Sequence, residues 1–147
     1  VITGAVEVTT LSPPHDLMAQ KAGVKVLAGP PEIGMPASGM ITSERLIKEN
    51  PAFVRRGVRA ILRANRFIDE NRAETIKVLL QWVKQTPEIA GRSYDVELKS
   101  ILRDGTMTDA EMESFIDRLG NEKKRSIDEV RDFSFVRQAW KELEAGK

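Results

Sequence analysis

The chain of 147 residues has no cysteine, one histidine (His15) and one tyrosine (Tyr94), and only 5% of it is aromatic. Without cysteine there is no disulfide and no thiolate metal site, while the redox compartment stays open. A lone histidine excludes a histidine-rich zinc centre and, with no thiol beside it, a Cys-His nucleophile pair. Neither a G-x-S-x-G elbow nor a G-x-x-x-x-G-K-[ST] phosphate loop occurs. An enzyme would have to work with carboxylates alone, and these are spread at ordinary density over helix faces. No enzymatic activity, metal or cofactor is expected. Charge of one sign is also missing: 23 Lys and Arg stand against 22 Asp and Glu, a net charge of +1, so no global field recruits nucleic acid or acidic membrane. The longest apolar runs, such as Val78-Leu79-Leu80, fall far short of the roughly 20 residues that a membrane span needs.

What is present is an ordinary folding composition, 41% hydrophobic and 31% charged. The most informative stretch is Gly4 to Gly23. The β-branched run Val6-Glu7-Val8-Thr9-Thr10 reads as a strand, Leu11-Ser12-Pro13-Pro14 as a turn, and His15-Asp16-Leu17-Met18-Ala19-Gln20-Lys21 as a short helix closed by glycine. A helix N-terminus leaves unpaired N–H donors and a partial positive charge, so an anion could dock there beside the Ser12 hydroxyl. His15, at the junction of turn and helix, is a ligand contact or a capping or surface residue. Val1-Ile2-Thr3-Gly4 offers neither a start methionine nor a basic and apolar leader, which reads as a fragment or trimmed product and leaves localisation open.

The pattern changes near residue 43. Before it, strands are expected over Val6–Thr10, Val24–Ala28 and Gly39–Thr42, with the glycine- and proline-rich Gly29–Ser38 as a loop or crossing connection. From Ser43 on, the periodicity is helical. Helices are expected over Glu44–Glu49, Pro51 to about Glu70, Ala73–Gln85, Pro87–Leu102, Asp109–Leu119 and about Phe133–Leu143. Thr108–Glu111 and Ser126–Glu129 have the capping-box pattern. In the long helix, Phe53, Gly57, Ala60, Ile61, Ala64, Phe67 and Ile68 form the expected core stripe, and Ile76, Leu79, Leu80 and Val83 point inward in the next. Arg55, Arg59, Arg63 and Arg66 recur on another side, as a phosphate-contacting ridge or, the preferred reading, a solvated face paired with nearby acids. Trp82 and Trp140 are expected to anchor a core, and Tyr94 to pack.

Several of these runs, taken in order, resemble the nitrate/sulfonate/taurine-type substrate-binding proteins of ABC importers, which belong with the thiamine-pyrimidine-precursor-like binding domains. The runs are Gly4-Ala5-Val6-Glu7-Val8, Leu11 to Leu17, Lys21 to Ala28, Ser38-Gly39-Met40-Ile41-Thr42-Ser43-Glu44, Ile47-Lys48-Glu49-Asn50-Pro51, Phe67 to Arg72, Asp104-Gly105 and Asp132-Phe133-Ser134-Phe135. They extend over essentially the whole chain, and their order is more specific than any one of them.

The resemblance implies an α/β, helix-rich architecture, the C-terminal portion of a periplasmic binding protein type II-like two-lobed fold. Residues 1–42 would be the strand- and loop-rich part of the second lobe with its crossing segment, and 43–147 the helical part completing the first. Ser12, Pro13, His15, Ser38 and Gly39 would contact ligand in the interlobe cleft.

The function implied is solute capture for a bacterial importer: a small organic or inorganic ligand, a membrane permease as partner, no nucleic acid, and a periplasmic or otherwise extracytoplasmic, membrane-anchored location. Most ligand contacts would then lie in a half that is absent here, and the exposed strand edges would favour self-association or a rearranged, helix-dominated chain. The alternative is a helix-rich interaction or regulatory module that binds an acidic partner. An enzyme of the pyrimidine-precursor branch is a third, weaker reading, since its chemistry needs histidines that the chain lacks.

Overall fold

The computed structural model describes residues 1–27, 39–118 and 125–145. Helix occupies 66% of them, and no strand is found among them. In chain order the helices are α1 (His15–Lys21), α2 (Glu44–Glu49), α3 (Pro51–Glu70), α4 (Arg72–Trp82), α5 (Pro87–Glu97) with a 3-10 turn at Leu98–Ser100, α6 (Asp109–Arg118), α7 (Ile127–Val130) and α8 (Ser134–Ala145).

Local chemistry explains where these helices begin. The Ser43 hydroxyl accepts from the Leu46 N–H at 3.2 Å, the Asn50 side chain from the Phe53 N–H at 3.1 Å and Thr86 Oγ1 from the Ile89 N–H at 3.3 Å. Each supplies an acceptor to an otherwise orphan donor, and prolines 51 and 87 take first-turn positions where no N–H is needed. At α6 the capping box is complete: the Glu111 N–H donates to Thr108 Oγ1 at 3.3 Å, and the Thr108 N–H to the Glu111 carboxylate at 2.8 Å. The Thr108 N–H and hydroxyl both donate to the Glu111 carboxylate and hold that carboxyl below its ordinary range. At α7, Glu129 accepts from the Ser126 N–H at 2.9 Å. α1 ends on Gly23, whose φ of +87° suits glycine and whose N–H reaches the Gln20 carbonyl at 2.9 Å.

The expected α/β architecture is overturned. Residues 6–10, 24–27 and 39–42, all expected as strands, have irregular backbone without a ladder partner, and Val6, Val8, Val26, Leu27 and Ile41 are exposed. β-Branched side chains suit a pleated, half-buried surface; they do not create one. A strand needs a neighbour to take its N–H and C=O groups, and no such neighbour exists among the described residues. The two-lobed fold implied by the resemblance therefore does not describe this chain. Ala28 and the expected loop Gly29–Ser38 lie outside the described residues.

By compactness the chain divides into two units. The first comprises the described residues within Val1–Ile33 and Ile68–Ser100, the second those within Gly34–Phe67 and Ile101–Lys147. In the first, α4 packs on α5 and α1 also packs on α5. The buried residues are Leu17 and Ala19 of α1, Thr75 of α4, and Ile89, Ala90, Ser93 and Tyr94 of α5. The Tyr94 hydroxyl donates to the Ile68 carbonyl at 2.6 Å. Arg72 grips Asp95 with two parallel bonds, Nε to Oδ1 at 3.0 Å and Nη2 to Oδ2 at 2.9 Å, and its guanidinium lies over the Tyr94 ring at 5.5 Å. Lys21 of α1 meets Glu88 of α5 at 2.6 Å.

In the second unit Val54 and Leu62 of α3, Ile116 of α6 and Ala139 of α8 are buried. Gly105 has φ +71°, and a Cβ there would stand 2.8 Å from Leu62 Cδ2 and 3.7 Å from Val136 Cγ1. The loop carrying Gly105 is pinned by Trp140 Nε1, which donates to the Asp104 carbonyl at 2.8 Å. Arg131, mostly buried, meets Asp109 at 2.6 Å.

The helix expectations hold at Glu44–Glu49 and Pro51–Glu70, but the expected core stripe of α3 is rotated. Phe53, Ile61 and Phe67 are exposed, whereas Val54 and Leu62 are the buried positions. Trp82, expected in a core, is 85% exposed at the end of α4. Trp140 and Tyr94 do pack, each through a hydrogen bond that composition does not reveal.

Candidate functional site

The Ser12–Asp16 turn belongs to the first unit. Ser12 and His15 are exposed and Pro13 is half-buried. The Ser12 carbonyl accepts from the N–H groups of His15 at 2.9 Å and Asp16 at 3.3 Å, and the Pro14 carbonyl from Met18 at 3.0 Å. Asp16 stands in the first turn of α1, so its carboxylate already answers the positive end of that short helix. The turn thus spends part of its donor capacity on itself. What it offers a ligand is the Ser12 hydroxyl and the His15 imidazole. Gly39, also exposed, belongs to the second unit, and Ser38 lies outside the described residues. Among the described residues no cluster of three or more His, Asp or Glu side chains could hold a metal ion, and no helix is long and apolar enough to cross a membrane.

A second arrangement lies entirely in the second unit, on the arginine face of α3. Glu142 of α8 receives two of the arginines: Arg59 Nη1 donates to Oε2 at 3.1 Å, and Arg55 Nε lies 3.5 Å from Oε1. Arg56 turns over the Phe53 ring at 5.9 Å, and Arg66 lies over the Trp140 ring at 5.0 Å. Ala52, Arg55, Arg56, Arg59, Glu142 and Ala145 line a groove of about 570 Å³. Arg55 and Arg59 therefore follow the preferred expectation of arginines paired with an acid. That acid is 83 residues beyond Arg59, a separation that no local spacing pattern reveals, and one carboxylate serves both. The groove itself was not foreseen. The only sequence signal for it is the recurrence of arginine at three- and four-residue intervals.

The carboxyls held below their ordinary range lie elsewhere. Asp95 is lowered by its hydrogen bonds from Arg72, Glu88 by Lys21, and Asp132 by bonds from Ser134. Each belongs to an ion pair or a helix cap and not to a cleft, and so to stability rather than chemistry.

Compared with protein families, with curated proteins and with solved structures, the chain matches none.

Proposed function

We propose that this chain is a solute-binding component of a bacterial ABC importer, which takes a small organic or inorganic ligand, an anion among the candidates, and hands it to a membrane permease in an extracytoplasmic compartment. The observation that carries this reading is the ordered series of runs from Gly4 to Phe135, above all Leu11-Ser12-Pro13-Pro14-His15-Asp16-Leu17. In its support, the turn presents a hydroxyl and an imidazole to solvent. The reading involves no chemical step. Ser12 would donate to a ligand oxygen, and His15 would contact it as a neutral or charged donor.

Thermal unfolding of the purified chain with nitrate, taurine and other small sulfonates tests it. A ligand at 100 times its Kd raises stability by about 2.7 kcal/mol, which is plainly visible as a rise in Tm. Ser12→Ala should remove most of that gain while the Tm without ligand stays within a degree or two. No rise with any small anion, or a rise that Ser12→Ala and His15→Ala leave intact, would overturn the reading.

A further inference from the structure

We propose that the groove between α3 and α8 is a binding site for an organic phosphate, a phosphate monoester whose dianionic head is held by Arg55, Arg56 and Arg59. This inference rests on the groove alone and stands whether or not Ser12 and His15 bind a solute.

The first support is charge. Arg55, Arg56 and Arg59 line the groove with Glu142 as its one acid, so the lining carries a net charge of +2. A phosphate monoester carries about −1.5 to −2 at neutral pH and matches it. A monoanion would leave charge uncompensated.

The second support is placement. Arg55 and Arg56 lie in the opening turns of a 20-residue helix whose first turn has no acidic residue. The free N–H groups of that first turn carry the positive end of the helix dipole, and no side chain in the turn neutralises it. Glu142 lies in the last turn of α8, at the negative end of that helix. Ala52 of that first turn lines the groove, so the helix dipole and the guanidiniums act on an anion there in the same sense.

Geometry is the third. Arginine forks suit the oxygen pairs of phosphate, and Arg55 and Arg59 already hold an oxyanion, the Glu142 carboxylate, at 3.5 and 3.1 Å. Ala52 and Ala145 add no charged side chain to the lining, and about 570 Å³ exceeds what a bare phosphate fills, so an organic substituent fits. The carbonyl end of α8 at Ala145 repels anions, which places the phosphate head on the α3 side and the substituent toward α8.

The test uses the full chain and phenyl phosphate as probe, at fixed ionic strength, with binding followed through the arginine side-chain Nε–H resonances. Saturable shifts of Arg55, Arg56 and Arg59 are expected, and inorganic phosphate should bind the same groups more weakly. Arg56→Gln should weaken binding at least tenfold. Arg56→Lys, which keeps the charge and loses the fork, should weaken it severalfold. Glu142→Gln, which frees two guanidiniums from their competitor, should tighten it. Arg45→Gln, outside the groove in the pair with Glu49, should change it less than twofold. Linear, unsaturating shifts, equal losses from Arg45→Gln and Arg56→Gln, weaker binding in Glu142→Gln, or a hexaglutamate peptide that outcompetes phenyl phosphate would overturn the assignment.

Discussion

The two compact units meet the same demand, to bury enough side chain to hold short helices together, in different ways. The first relies on a tight helix pair: Ala90 is fully covered, Tyr94 reaches a backbone carbonyl, and Arg72–Asp95 and Lys21–Glu88 fasten the outside. Its leading residues add little, because Ile2, Val6, Val8, Leu11, Val26 and Leu27 all remain exposed. The second unit gathers around Leu62, with a glycine turn pressed against it and Trp140 pinning that turn. The first unit therefore spreads its burial over Leu17, Ala19, Ile89, Ala90 and Tyr94, whereas the second is centred on Leu62. Exposed ion pairs contribute little in either unit, and burial shared among several side chains leaves none dominant, so the largest loss from a single substitution should fall at the centre of the second unit.

The largest effect expected from that difference is at Leu62. Leu62→Ala should cost about 2–5 kcal/mol in urea denaturation, whereas Ile61→Ala, its exposed neighbour, should cost less than about 1 kcal/mol. Equal losses would put Ile61 back on the core stripe and break the contrast. Next comes Gly105→Ala, which sets a Cβ against Leu62 in a left-handed backbone conformation. It should cost about 1–3 kcal/mol by the same measurement. In the first unit, Tyr94→Phe removes one hydrogen bond and no ring packing, and a loss of about 1 kcal/mol is expected.

Smaller still is the acid response. Asp95 and Glu88 have carboxyls lowered in the folded state by Arg72 and Lys21, so their stabilisation is present above the ordinary carboxylate range and is lost as pH falls through the lowered folded values. Carboxyl carbon shifts followed from pH 6 downward should show both groups titrating below an exposed aspartate or glutamate, and Arg72→Gln should restore Asp95 to the ordinary range. Trp82→Ala should have the least effect, within about half a kcal/mol, since the ring is exposed.

Legibility in the sequence separates features with local causes from those that need a distant partner, in both units alike. Helix starts were readable because their causes are local: Ser43, Asn50-Pro51, Thr86-Pro87, Thr108 with Glu111, and Ser126 with Glu129 each place an acceptor or a proline within three residues of the donors concerned. The core stripe of α3 was misread by one position because Phe53, Ile61 and Phe67 are larger and more apolar in sum than the residues actually buried, and periodicity does not tell which of two adjacent faces finds a partner. Strands were expected over 6–10 and 24–27 from β-branched residues, but a strand is defined by a neighbour, and that information is not local. At the candidate sites, Ser12 and His15 were found in an exposed turn, as the turn chemistry allows. The meeting of Arg55 and Arg59 with Glu142 depends on α8 and left no local trace.

The central claim is that residues 6–10 carry strand-like side chains on an unpaired backbone in a chain organised by helices. Amide hydrogen exchange, resolved to short peptides, tests it most directly. Peptides over residues 6–10 should exchange at the rate of an unstructured chain, while those from α5 and from the Leu62 turn of α3 are strongly protected. Protection over residues 6–10 as great as that of α5 would mean that these backbone groups are paired in a sheet, and would contradict the account.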